Sequence, residues 1–444
     1  MSNMLKAGER LRDASTGKPV SVLELLGDGG QGEVYRVSFA GTEYAAKWYF
    51  PSTATPLLRS RIERLVEKGA PNDKFLWPLS VLVKDGSNGF GYLMPLRESR
   101  YSGLSPVVRG KARATLTAVA TAGIQLSDSF LQLHHKGLCY CDISFGNIFL
   151  DPRRGDIAIC DNDNVTVNRD KNMAVLGTMR FMAPEVVRGE SLPGTQTDLY
   201  SLAVFFFYML MREHPLHGKK ESSVHCMDDP AALEIYGKNP VFMFDPKDRS
   251  NEPHPEYHAH VELLWRLCPS YLRRLFLQSF TDGIRDPDRR VRESEWRSAF
   301  CRWRDTMVDC AACGTENSFD DSAKSAAFCW APECGKALTA PVALKIGSIT
   351  VTCRADRKLY RHHLDGSYDF SMPIAEVTPN PKDPNVKGLK NLSTAKWVVT
   401  LKDGRLRDIE PGRTISLEHA RSISFGAAEG RFVHYAGSGW QESV

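Results

Sequence analysis

An aspartate and an asparagine stand five residues apart in Tyr140-Cys-Asp142-Ile-Ser-Phe-Gly-Asn147-Ile-Phe149, with apolar runs on both sides. Farther on, Ile157-Ala-Ile-Cys160 delivers a second acid, Asp161. One carboxylate can orient a hydroxyl, while an amide oxygen and another carboxylate can hold a hard metal ion. That is equipment for phosphoryl transfer, where catalysis is mostly positioning and charge neutralisation. A surface Asp and Asn that merely cap turns would show the same spacing, so the surrounding elements must decide.

Pro19-Val-Ser-Val-Leu-Glu-Leu-Leu26 reads as a strand and runs into Gly27-Asp-Gly29-Gly-Gln-Gly32-Glu-Val34. A dinucleotide-binding fold would need a helix next. Instead Val34-Tyr-Arg-Val-Ser-Phe39 alternates, Ala40-Gly-Thr turns, and Tyr44-Ala45-Ala-Lys47-Trp-Tyr49 continues as a strand. The glycines then lie inside a β-hairpin, where backbone N–H groups can approach phosphate without a Cβ in the way. Thr55-Pro-Leu-Leu-Arg-Ser-Arg-Ile-Glu63-Arg-Leu-Val-Glu67-Lys-Gly69 has an N-cap, a first-turn proline and a closing glycine, hence a helix. A second helical pattern spans 110–136, and Leu202–Met211 is an apolar run too short for a bilayer, which reads as a core helix.

Together these residues resemble the protein-kinase family. Asp142 to Asn147 matches its catalytic loop, Asp161-Asn-Asp163 its Asp-Phe-Gly, and Gly177-Thr178 with Ala183-Pro184-Glu185 the close of its activation segment. The likeness covers residues 15–305 and implies an α+β, two-lobed fold with the small lobe ending near 96. It implies ATP and Mg2+ as cofactors. Gly27, Gly29 and Gly32 would cover the phosphates, and Lys47 would bind them, positioned by Glu63 or, in reserve, Glu67. Val34, Ala45, Met94, Leu96 and Phe149 would frame the adenine. Asp142 would orient the substrate hydroxyl, and Asn147 and Asp161 would hold magnesium. Asp198 would hold the catalytic-loop backbone, and Arg290 would pair with Glu185. The expected substrate is a protein serine or threonine.

Five positions depart from the pattern. Tyr140-Cys141 replaces His-Arg, so the usual receiver of an activation-loop phosphate is missing. Ser144 replaces a lysine, Asn162 an apolar phenylalanine and Asp163 a flexible glycine. The competing reading is a nucleotide-binding pseudokinase that serves as a scaffold. Lys47, Asp142, Asn147 and Asp161 all being present weighs against it. The peptide-docking segment weighs against a small-molecule kinase. Residues 216–260 look like a loop insertion without chemistry.

Beyond 305, Cys310-Ala-Ala-Cys313-Gly and Cys329-Trp-Ala-Pro-Glu-Cys334-Gly offer four thiolates on two tight turns. Four thiolates suit a closed tetrahedral Zn2+ site, a zinc ribbon at 306–340. Short strands punctuated by Asp403-Gly404 and Pro411-Gly412 then suggest a β-sandwich at 341–444. It is faintly similar to a forkhead-associated domain, although Ser416-Leu-Glu-His419 falls too late to be that family's phosphothreonine reader. The combination resembles bacterial signalling kinases, with a regulatory protein partner docking on the tail. Net charge +4 on 444 residues argues against bulk nucleic-acid binding. Residues 1–14 read as an extension without a signal peptide's apolar run. No membrane segment and eleven cysteines without a disulfide pattern lead to an expected cytoplasmic location.

Overall fold

The computed structural model describes residues 4–109, 111–168, 177–320, 328–339, 342–383, 386–435 and 440–442. The chain divides into two compact units, 1–265 with 274–297 and 266–273 with 298–444.

The first unit opens with an antiparallel barrel of six strands, β1 (Arg10–Asp13), β2 (Pro19–Asp28), β3 (Gly32–Phe39), β4 (Thr42–Tyr49), β5 (Ser80–Val83) and β6 (Phe90–Met94). Its order is β1-β2-β3-β4-β6-β5, closed where β1 pairs with β5. Residues 10–13, expected outside the domain, are therefore part of its sheet, and Leu5 is buried in the same core. Alternation drives this: Tyr35, Val37, Ala46 and Trp48 point inward and are buried. Ala40 and Gly41 both have positive φ (52° and 82°), the geometry of a two-residue hairpin turn between β3 and β4. Helix α1 (Pro56–Lys68) is capped by Thr55, whose hydroxyl accepts from Leu58 N at 3.2 Å, and ends at Gly69 with φ 66°. It buries Arg61, Ile62 and Leu65.

Next come β7 (Ser102–Gly103), α2 (Leu104–Val108), α3 (Leu116–His135), β8 (Leu138–Cys139), β9 (Ile148–Leu150) and β10 (Ile157–Ile159). β9 pairs with both β7 and β10, so the catalytic-loop candidates sit between two fixed strands. Downstream, β11 (Thr166–Val167), α4 (Pro184–Val187) and α5 (Thr195–Met211) follow. α5 is buried almost all round, and its Phe206 and Phe207 pack on Trp296 (5.2 Å) and Phe276 (5.3 Å). The segment expected to be a bare loop insertion holds several short helices and a small core of Leu216, Ala232, Ile235 and Tyr236. His217 Nε2 sits 2.8 Å from the Tyr236 hydroxyl there. Its mixed polar composition hid a core too small to show as periodicity.

The second unit contains the end of the helix Glu293–Asp305, the two cysteine turns and two antiparallel sheets. One sheet has seven strands and the other four. Leu344, Trp397, Ile423 and Phe432 of the first and Leu359, Val377, Leu389 and Ile415 of the second share one core. The second unit takes in 266–273 and the helix end from 298 as well as the tail, and within it helix end and sheet are bonded together. Thr352 Oγ1 donates to the carbonyls of Asp305 (3.0 Å) and Met307 (2.6 Å). Among the described residues no helix is long and apolar enough to cross a membrane.

Candidate active site and metal centre

Three elements bring the acids and the lysine together. β4 places Lys47 opposite Val34 of β3 and Tyr92 of β6, with its side chain buried. β10 ends at Cys160, and Asp161 follows in a left-handed conformation (φ 52°) that opens a tight turn, Asn162–Asn164. Lys47 Nζ donates to Asp161, to Asp163 Oδ2 at 2.8 Å and to Gln31 Oε1 at 3.3 Å. Burial disfavours the charge on Lys47, but Asp163 and Asp161 overcome it and hold its pKa above the usual lysine value. Burial likewise works to raise Asp163, yet Lys47 and the Tyr49 hydroxyl, 2.5 Å away, keep it ionised. Asp161 moves up, through burial and then the neighbouring Asp163.

The catalytic loop is tied to this group through its backbone. Cys160 N donates to Asn147 O at 2.8 Å. Asn147 Nδ2 donates to the carbonyl and the carboxylate of Asp142, at 2.9 and 3.1 Å. That leaves Asn147 Oδ1 as the oxygen a hard cation would take. On the far side Thr178 Oγ1 donates to Asp142 Oδ1 at 2.8 Å. Gly177 before it is at φ 105°, and a Cβ there would lie 2.8 Å from Cys141 O. Asp198, at the start of α5, accepts from Tyr140 N (2.6 Å) and Cys141 N (2.9 Å). Those bonds hold Cys141 at φ 73°, a strained conformation for a residue with a Cβ. Arg290 meets Glu185 with two bonds of 2.8 Å.

Not every expected residue joins the site. Glu63 is exposed and accepts from Arg59 at 3.0 Å, and Glu67 is exposed as well. Neither pairs with Lys47, because the buried face of α1 carries Arg61, Ile62 and Leu65. Gly32 is required by close approach: a Cβ there would sit 2.3 Å from Trp48 O, whereas Gly27 and Gly29 have open space. Val34 is half-buried, and Ala45 and Met94 are buried and directly paired across β4 and β6. Leu96 is half-buried, and Phe149, expected as a bare floor, carries the Arg97 guanidinium 4.0 Å above its ring. Ser144 is buried. Asn162 does not merely lose an apolar contact. Its amide, fully buried, donates to Leu76 O and Ile159 O at 3.0 Å each. Tyr49, Gln31 and Asp163 were missed as site residues. Tyr49 was legible, since two residues past Lys47 on one strand means the same face. Gln31 and Arg97 gave no signal.

In the second unit Cys310, Cys313, Cys329 and Cys334 converge, their sulfurs all within 4.8 Å of one another. Cys310–Cys334 and Cys313–Cys329 are 3.7 and 3.6 Å apart. Tetrahedral Zn–S bonds of about 2.3 Å put sulfurs ~3.8 Å apart, so the four residues fit that ion.

Residues 92–269 match the family model described as the protein kinase domain. That stretch of the chain is similar to the protein kinase domain. Known relatives are serine/threonine kinases. The chain is 27% identical over 267 residues to the DNA damage-responsive serine/threonine-protein kinase RqkA of Deinococcus radiodurans, covering 57% of this chain and 37% of that one. It is 25% identical over 209 residues to the serine/threonine-protein kinase MPS1 of Encephalitozoon cuniculi (45% and 34%). Over 198 residues it is 24% identical to glycogen synthase kinase 1 of Pyricularia oryzae (40% and 50%). The aligned part thus spans about a third to a half of those relatives' lengths.

Two outcomes follow from the geometry. A hydrogen bond to a charged group is worth about 1.5–3 kcal/mol, so Thr178→Val lowers kcat by roughly 10- to 100-fold. Thr178→Ser keeps the hydroxyl and stays within about threefold in the same assay. The second concerns His134, whose ring bonds Glu293 and, at 3.1 Å, Asp198. Burial opposes its charge, but Asp198 and Glu293 raise its pKa from 6.5 to about 9. A value raised on folding means the stabilisation is complete below about pH 6.5 and is lost as pH rises through about 9. It amounts to at most on the order of 3 kcal/mol. Thermal midpoints fall from pH 7 to 9.5 in the wild type, and His134→Gln is both lower and flatter across that range.

Proposed function

We propose that the chain is an ATP-dependent serine/threonine protein kinase of bacterial signalling, in a stress response, with a tail that receives a regulatory protein partner. One observation carries the catalytic part: a continuous bonded path runs from Lys47 through Asp161, Cys160, Asn147 and Asp142 to Thr178. In this reading Asp142 accepts the hydrogen bond of the substrate hydroxyl and turns its oxygen toward the phosphorus. Asp161 and Asn147 are the oxygen ligands for magnesium, and Lys47 binds the phosphates under the Gly27, Gly29 and Gly32 turn. Ala45, Met94, Leu96 and Phe149 line the adenine slot. ATP with its magnesium supplies the transferred phosphoryl group and the neutralising charge. The stress-response part is supported by the printed description of the relative in Deinococcus radiodurans.

The four cysteines form a structural zinc site in this reading, and the sandwich that follows is forkhead-associated-like in arrangement alone. Residues 1–305 would be the catalytic part and 306–444 the regulatory part, in a cytoplasmic protein.

Labelled ATP and a mixed protein acceptor test the kinase reading. Wild type transfers phosphate to serine or threonine, while Asp142→Ala and Asp161→Ala fall by about 10²-fold or more. Wild type that binds ATP yet transfers nothing would leave a scaffold. For the metal, protein purified without chelator contains one zinc per chain, with ~10 kcal/mol or more of binding tied to folding of the segment. Cys313→Ser loses the zinc and lowers the thermal midpoint of the second unit. Unchanged metal content in that variant would sink the zinc site.

A further inference from the structure

A lysine that grips phosphates must itself be held. It is long, carries about 2 kcal/mol of rotamer entropy and, when buried, is costly to keep charged without a partner. The sequence offered two helix glutamates for this, and both are exposed on the outer face of α1. The buried face of α1 offers a cation, Arg61, where a carboxylate would be needed. The two charged groups that do meet Lys47 are both carboxylates of the turn after β10.

Those two are not equivalent. The Asp161 side chain is one-third exposed (33%), whereas that of Asp163 is fully enclosed (0%). A carboxylate that coordinates metal has little left for the ammonium, so the group facing solvent is the one free to take the ion. Asp163 cannot reach solvent, and its Oδ2 is saturated by Lys47 at 2.8 Å and Tyr49 OH at 2.5 Å. Tyr49 lies on the same strand face as Lys47, so β4 itself supplies both donors that fix this carboxylate. The turn is immobilised from below by the two 3.0 Å bonds of Asn162.

We propose that Asp163 is the positioning residue of Lys47, doing from the turn after β10 what a glutamate of helix α1 does not do here. This rests on the kinase reading above. The consequence is a change in what can switch the site. The lysine anchor and the metal ligand travel together, two residues apart on one locked turn. A displacement of α1 does not by itself take away a carboxylate partner of Lys47. A displacement of 161–164 removes metal ligand and lysine anchor at once.

The test compares Asp163→Asn, Tyr49→Phe and Glu63→Gln in the full chain, reading both Mg-ATP affinity by calorimetry and kcat and KM for ATP. Asp163→Asn raises the dissociation constant and KM by about tenfold and lowers kcat by about 100-fold. Tyr49→Phe, which removes a single bond to Asp163, gives a smaller shift in the same direction, about three- to tenfold. Glu63→Gln stays within about twofold in both readouts. Should Asp163→Asn fail to fold, as judged by circular dichroism, Tyr49→Phe beside Glu63→Gln decides. A KM shift in the tyrosine variant alone supports the proposal. Loss in the glutamate variant equal to that in either other, or no change in Asp163→Asn or Tyr49→Phe, overturns it. If wild type binds Mg-ATP but transfers no phosphate, the kinase reading fails, and the affinity arm still decides the role of Asp163.

Discussion

A single buried ammonium holds the site together. Lys47 comes from the small barrel, and its partners Asp161 and Asp163 come from more than a hundred residues downstream. Isolated at that depth, any of the three charges would cost several kcal/mol. Grouped, with Tyr49 and Gln31 adding hydrogen bonds, they form a set that is stable only when barrel and turn meet. Two carboxylates on one cation leave a net negative charge, and in the proposed reading that imbalance would favour a divalent metal at Asp161. The structural requirement and the chemical one are then the same requirement.

Much of this was readable from residues, and the reasons differ by element. β3 and β4 were legible because a strand has period 2 and their apolar positions alternate without interruption. α1 was legible at its ends, through Thr55, Pro56 and Gly69, since capping is local chemistry. The face α1 turns inward was not legible. Arg61 and Glu63 are both long and charged, and which one is buried depends on partners far along the chain. The same applies to Asp163. In sequence it registers as a lost glycine, and only the approach of the turn after β10 to β4 shows a lysine and a tyrosine meeting its carboxylate. The four cysteines sit at the opposite extreme, because thiolate pairs on tight turns define a site almost without context. Thr352 reaching the carbonyls of Asp305 and Met307, by contrast, is something no local pattern announces.

The catalytic loop has its own support, independent of the lysine group. Asp198 accepts from two consecutive backbone amides and also meets His134, which is bonded in turn to Glu293. A protonated histidine between two carboxylates neutralises a cluster that would otherwise repel itself under the loop. That arrangement lets Cys141 keep a left-handed backbone, which points Asp142 toward Thr178 on one side and Asn147 on the other.

The departures from the kinase pattern are physically coherent with this design. An arginine at 141 would be a cation beside the catalytic carboxylate and would call for an added anion, as a phosphorylated segment provides. Cys141 is neutral and buried, and it lies 3.4 Å from Cys139 through its sulfur, so no charge there asks to be balanced. An apolar side chain at 162 could leave its pocket at little polar cost, which is what lets such a turn flip. Asn162 would have to give up two buried carbonyl partners, each unsatisfied group costing about 1–3 kcal/mol. A glycine at 163 would permit the same flip, and Asp163 instead ties the turn to Lys47 and Tyr49. The substitutions at 162 and 163 each remove a means of switching and add bonds that fix the turn. In the proposed reading, what remains adjustable at the centre of the fold is the occupancy of the cleft by nucleotide and metal, rather than the geometry of the residues that would receive them.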